Sequence, residues 1–275
     1  MEEDLREFAV EKNFYYLTGA AIPGAILVLS PAHSQYKETL FIPERDLAQE
    51  KWTGPKLAPG AETAKQLGVD RVLGLEQFQS ELTTLMAGQK KLYTVLSCRK
   101  GTAPPSTQEG HVSRLRGLFP FAEIAQAATP IAHLRMTKSA RELALMKRAI
   151  QITLAAHGSA RRVVADGHLE YEVEAALEFE FRRAGATRPA FPSIVGSGPN
   201  SCILHYDENT RQMHRGELVV VDIGAEFEEY AADITRTYPV GGKFSSRQRE
   251  IYNIVFAAQE AALKVVEPGV AIGES

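Results

Sequence analysis

Two aspartates stand where a buried β-hairpin should be apolar. The stretch VVVDIGAEFEEYAADITRTYPV runs from Val219 to Val240, and Asp222 and Asp233 interrupt its two apolar runs. A turn centred between Phe227 and Glu228 would set Asp222 directly opposite Asp233. Opposed side chains in an antiparallel pair have Cβ atoms about 4.5–5.5 Å apart, and like charges there repel. With Val219, Val220, Val221, Ile223 and Ile234 around them, both carboxylates would be poorly hydrated. Three arrangements relieve this: a proton shared between the carboxylates, the Arg236 guanidinium set between them, or a bound cation. Hard divalent ions prefer oxygen ligands, and facing carboxylates are half of such a site. The plain alternative is a one-residue slip in register that turns one aspartate to solvent.

Other residues capable of chemistry are scattered. His205 lies in ILHYDENT beside an apolar run, where it fits either a contact to a ligand or a packed core imidazole. Gly196 and Gly198 allow a close backbone approach to a bound molecule or simply form a turn. Tyr230, near the hairpin tip, and the single tryptophan, Trp52, read as packing residues. Cys98 and Cys202 are far apart and in no metal spacing; they read as small, buried, reduced thiols of a cytoplasmic protein.

These residues need elements to hold them. The chain has 275 residues, is 44% hydrophobic and carries a net charge of −3, which suits a two-domain globular protein and gives no electrostatic footprint for nucleic acid or an anionic membrane. The opening MEEDLREFAV lacks the apolar stretch of a secretory signal, and no segment approaches the ~20 apolar residues of a membrane span. In the first part, FYYLTG, AILVLSP, TLFIP, DRVLGL and LYTVLS read as strands, LEQFQSELTTLMAG as a helix closed by Gly88, and Gly101–Gly110 as a loop. Strands alternating with helices predict a small α/β domain over residues 1–130.

Residues 131–275 read differently. Ser139 and Glu142 have capping-box spacing at the start of a long helix, in which Leu143, Met146, Ile150 and Leu154 form an apolar stripe. LEYEVEAALEFEFRRAG predicts a second helix closed by Gly185. Ser245 and Gln248 would open a third, stopped at Pro268-Gly269. Between them PSIVG, CILHY, ELVVVDIGAEF and YAADITRTYPV read as strands, which predicts an α+β domain.

The paired motif DIG…DITRT resembles the metal-binding hairpin of the aminopeptidase P family and its pita-bread relatives. NFYYLTG and WTGP are similar to that family's N-terminal domain, TKSARELALMKRAI to the helix opening its catalytic domain, and RPAFPSIVGSGPNSCILHY to its substrate-side strands. The resemblance implies an α/β N-terminal domain followed by a pita-bread α+β catalytic domain. It implies Asp222 ligating one of two divalent metal ions and Asp233 bridging both, with manganese the usual metal. It implies His205 contacting substrate near the scissile bond, and removal of an N-terminal residue preceding proline by a hydroxide held between the metals. A homo-oligomer is compatible with it. Within the fold, a dipeptide-specific prolidase and a non-catalytic peptide- or protein-binding module are the alternatives.

The family site has five protein ligands in the order Asp, Asp, His, Glu, Glu. No histidine follows His214, and the only acids after Asp233 are Glu250, Glu260, Glu267 and Glu274. Two carboxylates cannot saturate two six-coordinate ions. The expectation is therefore a fragment of a longer product, or a degenerate relative, with an incomplete metal site and little turnover of its own.

Overall fold

The computed structural model describes residues 10–96 and 107–271. The chain divides into two compact units, Met1–Thr137 and Lys138–Ser275. In the first, NFYYLTG is a helix, α1 (Lys12–Thr18), and not a strand. Glu11 caps it by accepting from the Phe14 N–H at 2.7 Å, and Gly19 ends it at φ 64°. These caps override the β preference of its aromatic residues.

The other four predicted strands form. β1 (Ile26–Leu29) pairs antiparallel with β2 (Glu38–Ile42), and β2 pairs parallel with β3 (Arg71–Gly74) across the short helices α2 (Glu50–Thr53) and α3 (Ala61–Leu67). α4 (Phe78–Leu85) follows. β4 (Lys91–Thr94) pairs parallel with β5 (Glu123–Gln126), and α5 (Thr107–Leu118) connects them. The last four residues of the loop expected at Gly101–Gly110 are thus helical, and the rest of it, like Cys98, lies outside the described residues. α6 (Ala128–Met136) closes the unit. Leu40, Ile42, Ala64 and Val72 make its core. Trp52, expected to pack, is 89% exposed on the one-turn helix α2.

The second unit is two layers. Its helices are α7 (Ala140–Val163) and α8 (Glu170–Arg183). The strands β6 (Arg188–Pro189), β7 (Ile194–Ser197), β8 (Leu218–Ile223), β9 (Ala225–Phe227), β10 (Tyr230–Ala231) and β11 (Ile234–Pro239) form two antiparallel sheets, ordered β11-β8-β7 and β10-β9-β6. α9 (Ser246–Lys264) follows. Both predicted capping boxes are present, Ser139 with Glu142 and Ser245 with Gln248.

The core lies between the helices and β8. Val219, Val221 and Ile223 alternate inward and are fully buried, each stabilising by about 1.5–3 kcal/mol. The predicted apolar stripe of α7 is not its buried face: Leu143, Ile150 and Leu154 are exposed. The core face is Ala149, Ile152, Thr153, Ala156, His157 and Ala160. Its small residues let α7 sit close on the sheet, and close approach outweighs the larger apolar area of the opposite stripe. CILHY is not a strand. A 3₁₀ turn over Gly198–Cys202 leads into a bend at Leu204–His205, with Ile203 and Leu204 exposed. Cys202 is an exposed free thiol, against the expectation of burial.

Candidate metal centre

The hairpin turns one residue later than the sequence suggests. β8 and β11 pair Asp222 with Thr235, and β9 and β10 pair Phe227 with Tyr230, so the turn is centred on Glu228–Glu229. Both glutamates have positive φ, 45° and 65°. The turn therefore has the twist that two-residue hairpins favour, without the Asn-Gly signal that usually marks it. The aspartates are diagonal neighbours rather than directly opposed. Strand alternation still puts them on one face, since Asp233 and Thr235 are two residues apart.

The carboxylates meet. The Asp233 carboxyl is pushed above the usual range, first by lost hydration and then by the neighbouring Asp222 charge. Because Asp233 is exposed as a residue, the like-charged neighbour is the more telling cause. Thr235 Oγ1 donates to Asp222 Oδ1 at 2.8 Å. Arg236 does not separate the pair. It is paired with Val221, on the other face of the ladder, and donates to the Thr235 carbonyl at 2.8 Å.

Two further features fix this geometry. Gly224 has no room for a side chain: a Cβ there would lie 1.8 Å from the Ala232 carbonyl oxygen. The second feature, His157 on α7, gives no signal in the sequence, where it is one histidine on a small-residue helix face. It is buried, its Nε2 lies 2.9 Å from the Ile234 carbonyl oxygen, and its Nδ1 lies 3.1 Å from the Tyr238 hydroxyl. A carbonyl only accepts, so Nε2 carries the proton and Nδ1 accepts from Tyr238. Burial holds the imidazole below its ordinary pKa, with Arg236 adding to the effect while the Ile234 carbonyl and Asp222 oppose it. His157 thus ties α7 to the Ile234 carbonyl, one residue past Asp233.

Asp233 borders an open cleft of about 610 Å³ between Ile150 and Leu154 of α7 and Gln259 of α9. His205 does not line it. It stands on the exposed bend between Leu204 and Tyr206. Gly196 and Gly198 also serve the chain itself: a Cβ would lie 2.9 Å from the Asn200 carbonyl at Gly196, and 2.8 Å from the Glu217 carboxylate at Gly198. Tyr230 Oη donates to Glu142 at 2.9 Å.

As a donor set, two adjacent carboxylates suit a hard divalent cation, whose charge would offset their mutual repulsion. They fit as part of a coordination sphere. Among the described residues, no group of three or more His, Cys, Asp or Glu side chains gathers in a way that could hold a metal.

Comparison with known proteins follows the same division of the chain. The profile of the aminopeptidase P N-terminal domain matches residues 3–93, and that of metallopeptidase family M24 matches residues 144–275. A Xaa-Pro aminopeptidase of Haemophilus influenzae is 38% identical over 98% of this chain, which spans 60% of that protein. The structure of the aminopeptidase PepP of Pseudomonas aeruginosa superimposes with a TM-score of 0.89 at 33% identity, covering 96% of this chain and 60% of that one. A zinc-substituted Escherichia coli aminopeptidase P in complex with product gives 0.86 at 35% identity, covering 97% and 61%. The chain therefore spans about 60% of the length of these relatives.

Proposed function

Since the chain belongs to the aminopeptidase P group of metallopeptidase family M24, we propose that it serves a metal-dependent Xaa-Pro aminopeptidase, which removes an N-terminal residue preceding proline. The observation that supports this best is the Asp222–Asp233 pair, two carboxylates diagonal to one another on one face of a hairpin, each close enough to perturb the other. Asp222 and Asp233 would hold divalent ions, with manganese the proposed metal. When bound, the ions would supply a nucleophile at neutral pH and polarise the peptide carbonyl. Thr235 orients Asp222 through its hydroxyl. His157 holds the Ile234 carbonyl, one residue past Asp233. His205, on its exposed bend, is the proposed imidazole on the substrate side, where it would stabilise charge developing on the carbonyl oxygen. The preference for proline rests on the family, and the proposed cytoplasmic setting on the reading of the cysteines as reduced.

Donor counting sets the expected activity of these 275 residues. Two carboxylates offer at most four oxygens, whereas two octahedral ions take about twelve donor positions. Binding should be weak and cleavage negligible unless further ligands join. The test is release of the first residue from Xaa-Pro and Xaa-Ala peptides under Mn²⁺ titration. It would be run on this chain, on a chain lengthened to the span of its relatives, and on the lengthened Asp233→Ala variant. Xaa-Pro cleavage by the lengthened chain alone is expected. Equal cleavage of both peptides, or full activity in Asp233→Ala, would overturn the reading.

A further inference from the structure

A carboxylate with five hydrogen-bond donors around it belongs to neither candidate ligand. Glu170, at the first position of α8, has no solvent exposure. Its Oε1 accepts from the Ser197 N–H at 2.7 Å, the Ser197 hydroxyl at 2.6 Å and the Asn200 amide at 3.3 Å. Its Oε2 accepts from the Tyr206 hydroxyl at 2.7 Å and the Arg211 N–H at 2.9 Å. All five partners are donors, the complement that an acceptor-only carboxylate requires. A buried carboxylate is costly unless satisfied in this way.

These partners come from both ends and the middle of one segment. Ser197 and Asn200 lie at its start, Tyr206 within it and Arg211 at its end. Beyond Ser197, the last residue of β7, the segment has no strand to hold it, and ordering such a chain costs about 1–2 kcal/mol per residue. It carries His205. Leu204 is 88% exposed and Tyr206 is 7% exposed, so the chain turns inward across His205 and is anchored one residue later on Glu170. α8 repeats the contact at helical spacing. Glu174 accepts from Asn209 at 2.9 Å, and Glu178 accepts from the Ser193 hydroxyl at 2.9 Å.

We infer that Glu170 is a positioning residue for His205: it clamps residues 197–211 onto α8 and so fixes where the imidazole is presented. This rests on the reading of His205 as the substrate-side imidazole. Glu170→Gln keeps the shape but sets an amide donor against donors. Tyr206→Phe removes one donor and leaves the other four. The measurement is amide hydrogen exchange on the full chain, with NMR of the His205 ring. In both variants, exchange at residues 199–211 should speed up about tenfold or more while β8 and α7 keep their rates. The His205 ring signals should move toward those of an unstructured chain. Unchanged exchange at 199–211 would overturn the inference. So would a uniform loss of protection across the second unit in both variants, since Glu170 would then support the core rather than the loop. His205→Ala leaves every Glu170 contact intact and should not alter the exchange. If that variant kept full peptidase activity in the lengthened chain, the role given to His205 would fall while the clamp stood.

Discussion

From Leu218 to Pro239 the chain is held by its own backbone, in a ladder pairing β8 with β11. From Gly198 to Arg211 it is held chiefly by side chains, above all those of α8, with a backbone bond from the Glu170 N–H to the Arg211 carbonyl at its end. The hairpin carries the paired carboxylates and the loop carries the histidine. A ladder places residues by register, so error comes in whole steps that flip a side chain to the other face. Side-chain anchors place residues individually, and each can loosen by degrees. The aspartate pair should therefore fail all at once and the histidine gradually.

The largest effect should come from breaking the ladder. Gly224→Ala sets a methyl against the Ala232 carbonyl and should destabilise the second unit by about 3 kcal/mol. Urea unfolding followed by circular dichroism measures this, and an unshifted midpoint would show that the hairpin can open to admit a side chain.

Next comes the loop. Asn209 is fully buried at φ 47°. It accepts from the Val195 N–H at 2.9 Å and donates to the Ser193 carbonyl at 2.7 Å. Asn209→Ala strands both backbone groups and should cost about 2 kcal/mol. The same unfolding measurement reads the loss. Exchange at residues 199–211 should rise more than exchange in β8, and the reverse order would contradict side-chain anchoring.

His157 joins the hairpin to the helix layer and adds a pH dependence. Its imidazole is held below the ordinary value of about 6.5. Between that value and its folded value, the unfolded chain binds more protons than the native one. Its contribution to stability is thus complete above about pH 6.5 and is lost as pH falls through this window. Melting temperature should drop on acidification below pH 6.5, less steeply in His157→Phe. Tyr238→Phe removes the donor to Nδ1 and should cost about 1 kcal/mol at pH 8. An identical acid slope in His157→Phe would assign the dependence to other groups.

The smallest effect should be a gain. Glu228→Gly relieves a left-handed residue at the turn but adds freedom to the unfolded chain. The net gain should be about 0.5 kcal/mol in the urea midpoint; a loss would mean that Glu228 makes contacts worth more than its strain.

Legibility in the sequence followed the same contrast. Segments governed by local rules could be read: the capping boxes at Ser139 and Ser245, the strands β1 to β4, and the hairpin itself. Its turn was misplaced by one residue because Glu228 and Glu229 carry no turn signal, and the facing of the aspartates shifted with it. NFYYLTG misled because its caps outweigh its composition. CILHY has the apolar content of a strand, but its Leu204 points to solvent. Glu170 could not have been found this way. In sequence it is an acid in the first turn of a helix, a common surface feature, and its burial exists only once a segment some thirty residues later folds back onto it.

α9 has a practical consequence. It leaves Ile254, Val255, Phe256 and Leu263 between 51% and 64% exposed along one helix. Apolar surface of this kind seeks cover from any surface within reach. Colloidal behaviour, rather than unfolding, should then set the working range of the purified chain. Light scattering should rise with protein concentration well below the melting temperature, and it should strengthen in sulfate, which promotes burial of apolar area. Scattering that stayed flat in both series would show that α9 is tolerated by water as it stands.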